Sequence, residues 1–116
     1  MRLVAIPILV AALATPAAAV DGKGNFWVVG DGSLRCSAYA QGTPEHQLKM
    51  ETWTAGYITA MNRATSNTYN LLTISVEEAK ARLQQACATA PDKVFVHAVH
   101  EMLAELHATR VKVAPR

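Results

Sequence analysis

The sequence predicts an all-α fold: a small helical domain of about four helices, tied by one disulfide and preceded by a short extended N-terminal arm. Three observations predict it. An export leader opens the chain. An even pair of cysteines, Cys36 and Cys87, follows in the exported part. Apolar residues then recur at helical spacing behind recognisable caps.

The leader occupies residues 1–19. Arg2 supplies the positive start, Leu3 to Leu13 is an apolar run interrupted only by Pro7, and Ala17-Ala18-Ala19 offers small residues for a peptidase. Cleavage is expected after Ala19, so the mature chain starts at Val20. The alternative, a membrane anchor, meets a run too short to span about 30 Å of hydrocarbon as a helix. The mature chain holds no second such run, so no membrane span is expected after cleavage.

The full chain of 116 residues carries a formal charge of +2, and the leader removes one cation and no acid. A near-neutral balance gives no electrostatic footprint for nucleic acid and no basic amphipathic face for anionic lipid. An exported chain meets an oxidising compartment, so Cys36 and Cys87 read as a structural disulfide. A redox pair would favour Cys-x-x-Cys, and a zinc site would need more ligands in local clusters. A domain this small needs such a staple, because its core alone is marginal.

Residues 20–33 form the arm. Val20 to Asn25 reads as a flexible start. Phe26-Trp27-Val28-Val29 is β-prone, either a short strand or an extended segment lying on helices, and Gly30-Asp31-Gly32-Ser33 is a turn signal. The helical domain is expected over residues 34–110. Leu34 to Ala40 reads as a short first helix stopped by Gln41-Gly42. Thr43-Pro44-Glu45 then starts a long helix to about Ala64: a cap, a proline at the first position and an acid on the dipole.

On that helix Met50, Trp53, Tyr57, Ala60, Met61 and Ala64 share one face, read as core rather than as an aromatic platform. Gly56, Ala60 and Ala64 step along its flank, where small residues would let a neighbouring helix approach closely. Thr65 to Thr73 has no period and reads as a loop. Ser75-Val76-Glu77-Glu78 is a capping box, with Glu78 reaching back to the cap. The helix it starts carries Val76, Ala79, Leu83 and Ala86 on one stripe beside Cys87. Pro91 ends it and opens the last helix, where Phe95, Ala98, Val99, Met102, Leu103 and Leu106 make the strongest amphipathic pattern. Residues 111–116 read as a frayed tail.

Candidate chemistry is sparse. His97, His100 and His107 lie along the last helix in one arc away from its apolar stripe. They read as pH-responsive groups, as metal ligands or as a solvated face. The i,i+4 histidine pair of helical zinc sites is missing, so no metal is expected. Glu77 and Glu78 are adjacent and face apart, which does not suit shared acid–base work. The serines lack a nucleophile-elbow context, and no glycine-rich phosphate loop follows a strand. The sequence therefore predicts no enzyme, no catalytic residues and no cofactor.

The order Cys36, then Trp53-Thr-Ala-Gly56-Tyr57, then Cys87-Ala-Thr-Ala-Pro91 resembles small secreted proteobacterial proteins around the HdeA/HdeB acid-stress chaperone family. The resemblance runs from about Leu34 to Leu106. It implies a periplasmic helical domain bridged through Cys36 and Cys87, a homodimer at neutral pH, and capture of unfolded clients on acidification. The Tai family of type VI secretion immunity proteins is similar too, with an exported helical domain and a comparable Gly-Tyr helix. It implies instead an inhibitor of one secreted toxin enzyme. Both resemblances imply a protein partner. A structural protein of the envelope is the third expectation.

Overall fold

Two hydroxyl caps and one proline decide where the long helices begin. A computed structural model describes residues 20–116. The leader expected at residues 1–19, with its cleavage site, lies outside the described residues. Helix α1 spans Cys36–Ala40, α2 Pro44–Ala64, α3 Val76–Thr89 and α4 Phe95–Leu106. Single 3-10 turns at Asp31–Ser33 and His107–Thr109 flank them. The described residues contain no named strand, only isolated antiparallel bridges between Arg35 and Val94 and between Asn70 and Val111. The fold is all-α, as the periodicity predicts.

Thr43 caps α2 by accepting the His46 backbone N–H at 3.2 Å, with Pro44 at the first helical position. Ser75 caps α3 by accepting the Glu78 backbone N–H at 3.1 Å. The reciprocal half of the expected capping box does not form. The Glu78 carboxylate accepts instead from Arg82 Nη2 at 2.8 Å, one turn along the same helix. An i,i+4 ion pair there competes directly with the reach back to the cap.

Helix α4 is the centre of the core. Phe95, Val96, Ala98, Val99, Met102, Leu103 and Leu106 are all buried. Against them pack Cys36 and Tyr39 of α1, Met50 of α2, Leu71 of the following loop, and Ala79, Leu83 and Cys87 of α3. Burying one such large side chain fully is worth about 1.5–3 kcal/mol. That makes α4 the element whose loss would cost most.

Cys36 and Cys87 are bonded, with their Cα atoms 4.6 Å apart, and both are fully buried. The bond joins the first residue of α1 to the last turn of α3. A second tie holds the same end. Cys36 N–H donates to Lys93 O at 2.7 Å, Ser37 N–H to Pro91 O at 2.9 Å, and Phe95 N–H to Leu34 O at 2.8 Å. These bonds satisfy N–H groups that a helix start leaves without partners. They also explain why α4 starts at Phe95 and not at Pro91. The carbonyls of Pro91 and Lys93 are turned toward α1, so that stretch pairs across the domain instead of coiling.

The β-prone run Phe26 to Val29 forms the second of its two expected alternatives, an extended arm lying on α2 and α4. Three further expectations are corrected. Trp53 is half-buried beneath that arm and lies outside the central core, while Tyr57 is half-buried and packs against the core as expected. Gly56, Ala60 and Ala64 face outward, and a Cβ added at Gly56 would meet nothing within 4 Å. Among the described residues no helix packs on that flank. The last segment does not fray from its start, because Val111 exchanges backbone bonds with Asn70.

Candidate protein-binding site

The helical period leaves α2 with two apolar lines. One, through Met50, turns into the core. The other, through Leu48, Ala55 and Ile58, borders an open cleft shared with α3. Across from it stand Val76, Ala79 and Leu83, while Leu72 and Met102 close the remaining sides. The cleft has a volume of about 510 Å³. Leu48 and Val76 stand at its mouth, 62% and 63% exposed. Val76 was expected on the buried stripe of α3; as the first residue of the helix it overhangs the cleft instead.

The walls offer few free polar atoms. Thr52 donates its hydroxyl to Leu48 O at 2.9 Å, and Thr54 to Met50 O at 2.8 Å, so both are bonded within α2. Among the described residues no buried side-chain nitrogen or oxygen lacks a partner. Charge is confined to the rim. Lys80 Nζ lies 3.8 Å from Glu51 and 3.7 Å from Glu77. Glu51 also accepts the Tyr39 hydroxyl at 2.9 Å. Burial and the neighbouring Glu51 carboxylate together push the Tyr39 phenol well above the usual tyrosine range. Tyr39 stays neutral and acts as a donor that orients Glu51. The result is an apolar trough with one ion-paired edge, suited to apolar side chains of another polypeptide.

The three histidines singled out in the sequence are exposed on α4 and just beyond it. They are not gathered in one site. His97 meets the ring of Phe26 edge-on, with centroids 6.1 Å apart. His100 Nδ1 lies 3.0 Å from the Tyr57 hydroxyl. His107, in the 3-10 turn, borders with His100 a smaller cleft over Met61, Leu71 and Leu103. His46 lies apart, in the first turn of α2. Among the described residues, no group of three or more metal-binding side chains converges.

Two of these histidines connect to the arm. Tyr57 stacks on Trp53, with centroids 5.4 Å apart and planes 15° from parallel. Trp53 donates its indole N–H to Val29 O. Gly30 and Gly32 lie against the indole, and a Cβ on Gly32 would sit 2.1 Å from Trp53 Cζ2 and Cη2. Gly30 also has φ 86°, a conformation that favours glycine. The arm is thus held at Phe26 by His97 and at Val29 by the Trp53, Tyr57 and His100 relay. Trp27 and Val29 remain outside, 89% and 75% exposed.

The chain matches no protein-family model, no curated protein and no solved structure.

Sequence reasoning missed the cleft because it followed the stronger apolar line of α2. The signal was present as Leu48, Thr52 and Ala55, spaced four and three apart. Its floor comes from Leu72 and Met102, which no local pattern brings next to α2. Among the described residues no helix is long and apolar enough to cross a membrane.

Proposed function

We propose that this chain is a non-enzymatic protein-binding domain of the periplasm or of a secreted fraction, of the acid-stress chaperone type. The observation that carries the reading is the apolar cleft between α2 and α3, which stays uncovered in a chain too small to leave apolar surface open without cost. Its occupant is an apolar stretch of an unfolded client. The buried disulfide supports export, since such bonds persist in oxidising compartments.

The contacts of His97 with Phe26 and of His100 with Tyr57 support an acid response. Imidazole gains charge on acidification. Protonated His100 can only donate to the Tyr57 hydroxyl, and a charged His97 binds water more strongly than the edge of Phe26. The change at His97 loosens the arm at Phe26.

The test is client aggregation at about pH 3 and about pH 7, with wild type, Val76→Lys and the double variant His97→Gln/His100→Gln. Suppression in acid, lost in Val76→Lys, whose side chain is charged at both pH values, supports the reading. Suppression at neither pH removes it.

A second reading is an immunity or inhibitor protein. It is favoured by the open cleft, whose polar atoms are already bonded and which needs no acid to form. A pull-down from periplasmic extract separates the two. One stoichiometric enzyme favours inhibition, and many denatured clients captured only in acid favour the chaperone.

A further inference from the structure

We infer that the loop-and-tail end of the molecule, around Arg63 and Tyr69, binds an anionic saccharide. This surface is separate from the α2 and α3 cleft and does not depend on the function proposed for it.

The near-neutral formal charge hides a strong segregation. No acidic residue occurs between Glu51 and Glu77, and none follows Glu105. The fold brings these two acid-free stretches together. Val111 bridges Asn70, and Tyr69 N–H donates to Val111 O at 2.8 Å. Arg110 Nε donates to Thr68 Oγ1 at 3.0 Å. Arg63, Arg110, Lys112 and Arg116 therefore meet no acidic side chain on either stretch, and none of them forms an ion pair among the described residues. Lys80, Arg82 and Lys93 are ion-paired, while Lys23, Arg35 and Lys49 share the unpaired state without being gathered at this end. A concentrated, unneutralised positive end is an electrostatic attractor for anions.

The local surface narrows the kind of anion. An open cleft of about 460 Å³ lies here, lined by Thr59, Asn62, Arg63, Thr68, Tyr69 and Asn70, so that apolar stems and polar tips share its surface. Tyr69 is 51% exposed and is the one aromatic ring on the lining. A sugar ring has hydroxyls for such a lining and a C–H face that packs on an aromatic ring. Its carboxylate or phosphate would take the planar fork of Arg63, which matches either group bidentately.

The experiment uses the exported chain, residues 20–116, at low salt. Backbone amide shifts are followed while a galacturonic acid trimer, glucose 6-phosphate, maltotriose and a glutamate hexamer are titrated in separately. The expected result is saturable movement of the Asn62, Thr68 and Asn70 amides with the first or second probe, which tells a carboxylated from a phosphorylated sugar. Arg63→Glu should weaken that binding by about tenfold or more. Tyr69→Ala should weaken it too, and Arg63→Gln provides a milder variant if charge reversal lowers the thermal midpoint. Added salt should weaken it further. Equal binding of maltotriose would overturn the proposal, since charge would be idle. Equal binding of the glutamate hexamer that survives Tyr69→Ala would overturn it in favour of an acidic polypeptide. No movement with any probe would overturn it outright.

Discussion

Trp53 donates its indole N–H to the carbonyl of Val29 at 2.7 Å, across 24 positions of chain. That single bond fixes the arm to α2, and the bare backbones of Gly30 and Gly32 let the indole lie flat beneath it. Gly32→Ala should therefore detach the arm, because its methyl would overlap the indole. Trp53→Phe should do so more mildly, losing one hydrogen bond worth about 0.5–1.5 kcal/mol. Limited proteolysis within residues 20–30 measures both. Unchanged cleavage in Gly32→Ala would show that the arm is held elsewhere.

The disulfide closes a loop of 51 positions. Chain entropy assigns such a closure about 4 kcal/mol. Cys36→Ser or Cys87→Ser should then lower the thermal midpoint by more than 10 °C, since about 1 kcal/mol corresponds to about 4–8 °C for a domain of this size. A scan of the oxidised wild type against each variant checks it. A midpoint unmoved by the substitution would transfer the stabilising role to the backbone bonds between α1 and the start of α4.

The cap on α3 is one-sided, which predicts unequal effects at its two members. Ser75→Ala should cost about 1 kcal/mol by orphaning the Glu78 backbone N–H. Glu78→Ala leaves the cap intact and removes an exposed pair with Arg82, a loss of about 0.3–0.5 kcal/mol. Denaturant melts of the two variants give the comparison. Equal losses would mean that Glu78 does reach back to the cap in solution.

The phenols of Tyr39 and Tyr57 are both raised by burial, Tyr39 also by Glu51. A group raised in the folded state stabilises fully below its unfolded value, here 10.0, and that contribution fades as pH climbs through the folded value. Stability should fall above about pH 10 as the unfolded chain releases these protons first. Tyr57→Phe should flatten part of that fall. Thermal midpoints between pH 8 and pH 11 test it, and a wild-type curve level over that span would refute it.

The fold was legible where the signal is local. Thr43-Pro44 and Ser75 place the starts of α2 and α3, and the spacing of Phe95, Val99, Met102 and Leu106 gives the buried face of α4. The bond between Cys36 and Cys87 was legible from an even cysteine count behind an expected leader. What was not legible depends on distant partners. Trp53 and Tyr57 share core spacing, yet only Tyr57 packs on the core, and what covers Trp53 is an arm more than twenty residues away. Gly56 has the size for close helix packing, but size alone does not supply the second helix. Leu48 and Val76 sit at sites whose exposure only the α2 and α3 geometry decides. Net charge gave no hint of the basic end, because averaging over the chain conceals what the pairing of Asn70 with Val111 brings together.

The covalent loop from Cys36 to Cys87 encloses α2 and most of α3, while the arm and α4 hang outside it. Tension applied at the two ends of the chain is carried across the sulfur bridge and never enters that loop. A chain pulled out in this way would come up short by roughly 180 Å, at about 3.5 Å for each of the 51 shielded positions. α4 and the flanking segments would be drawn out straight while the loop stayed closed. Dragged through a narrow opening, the oxidised chain would therefore present a doubled loop, and the reduced chain a single thread.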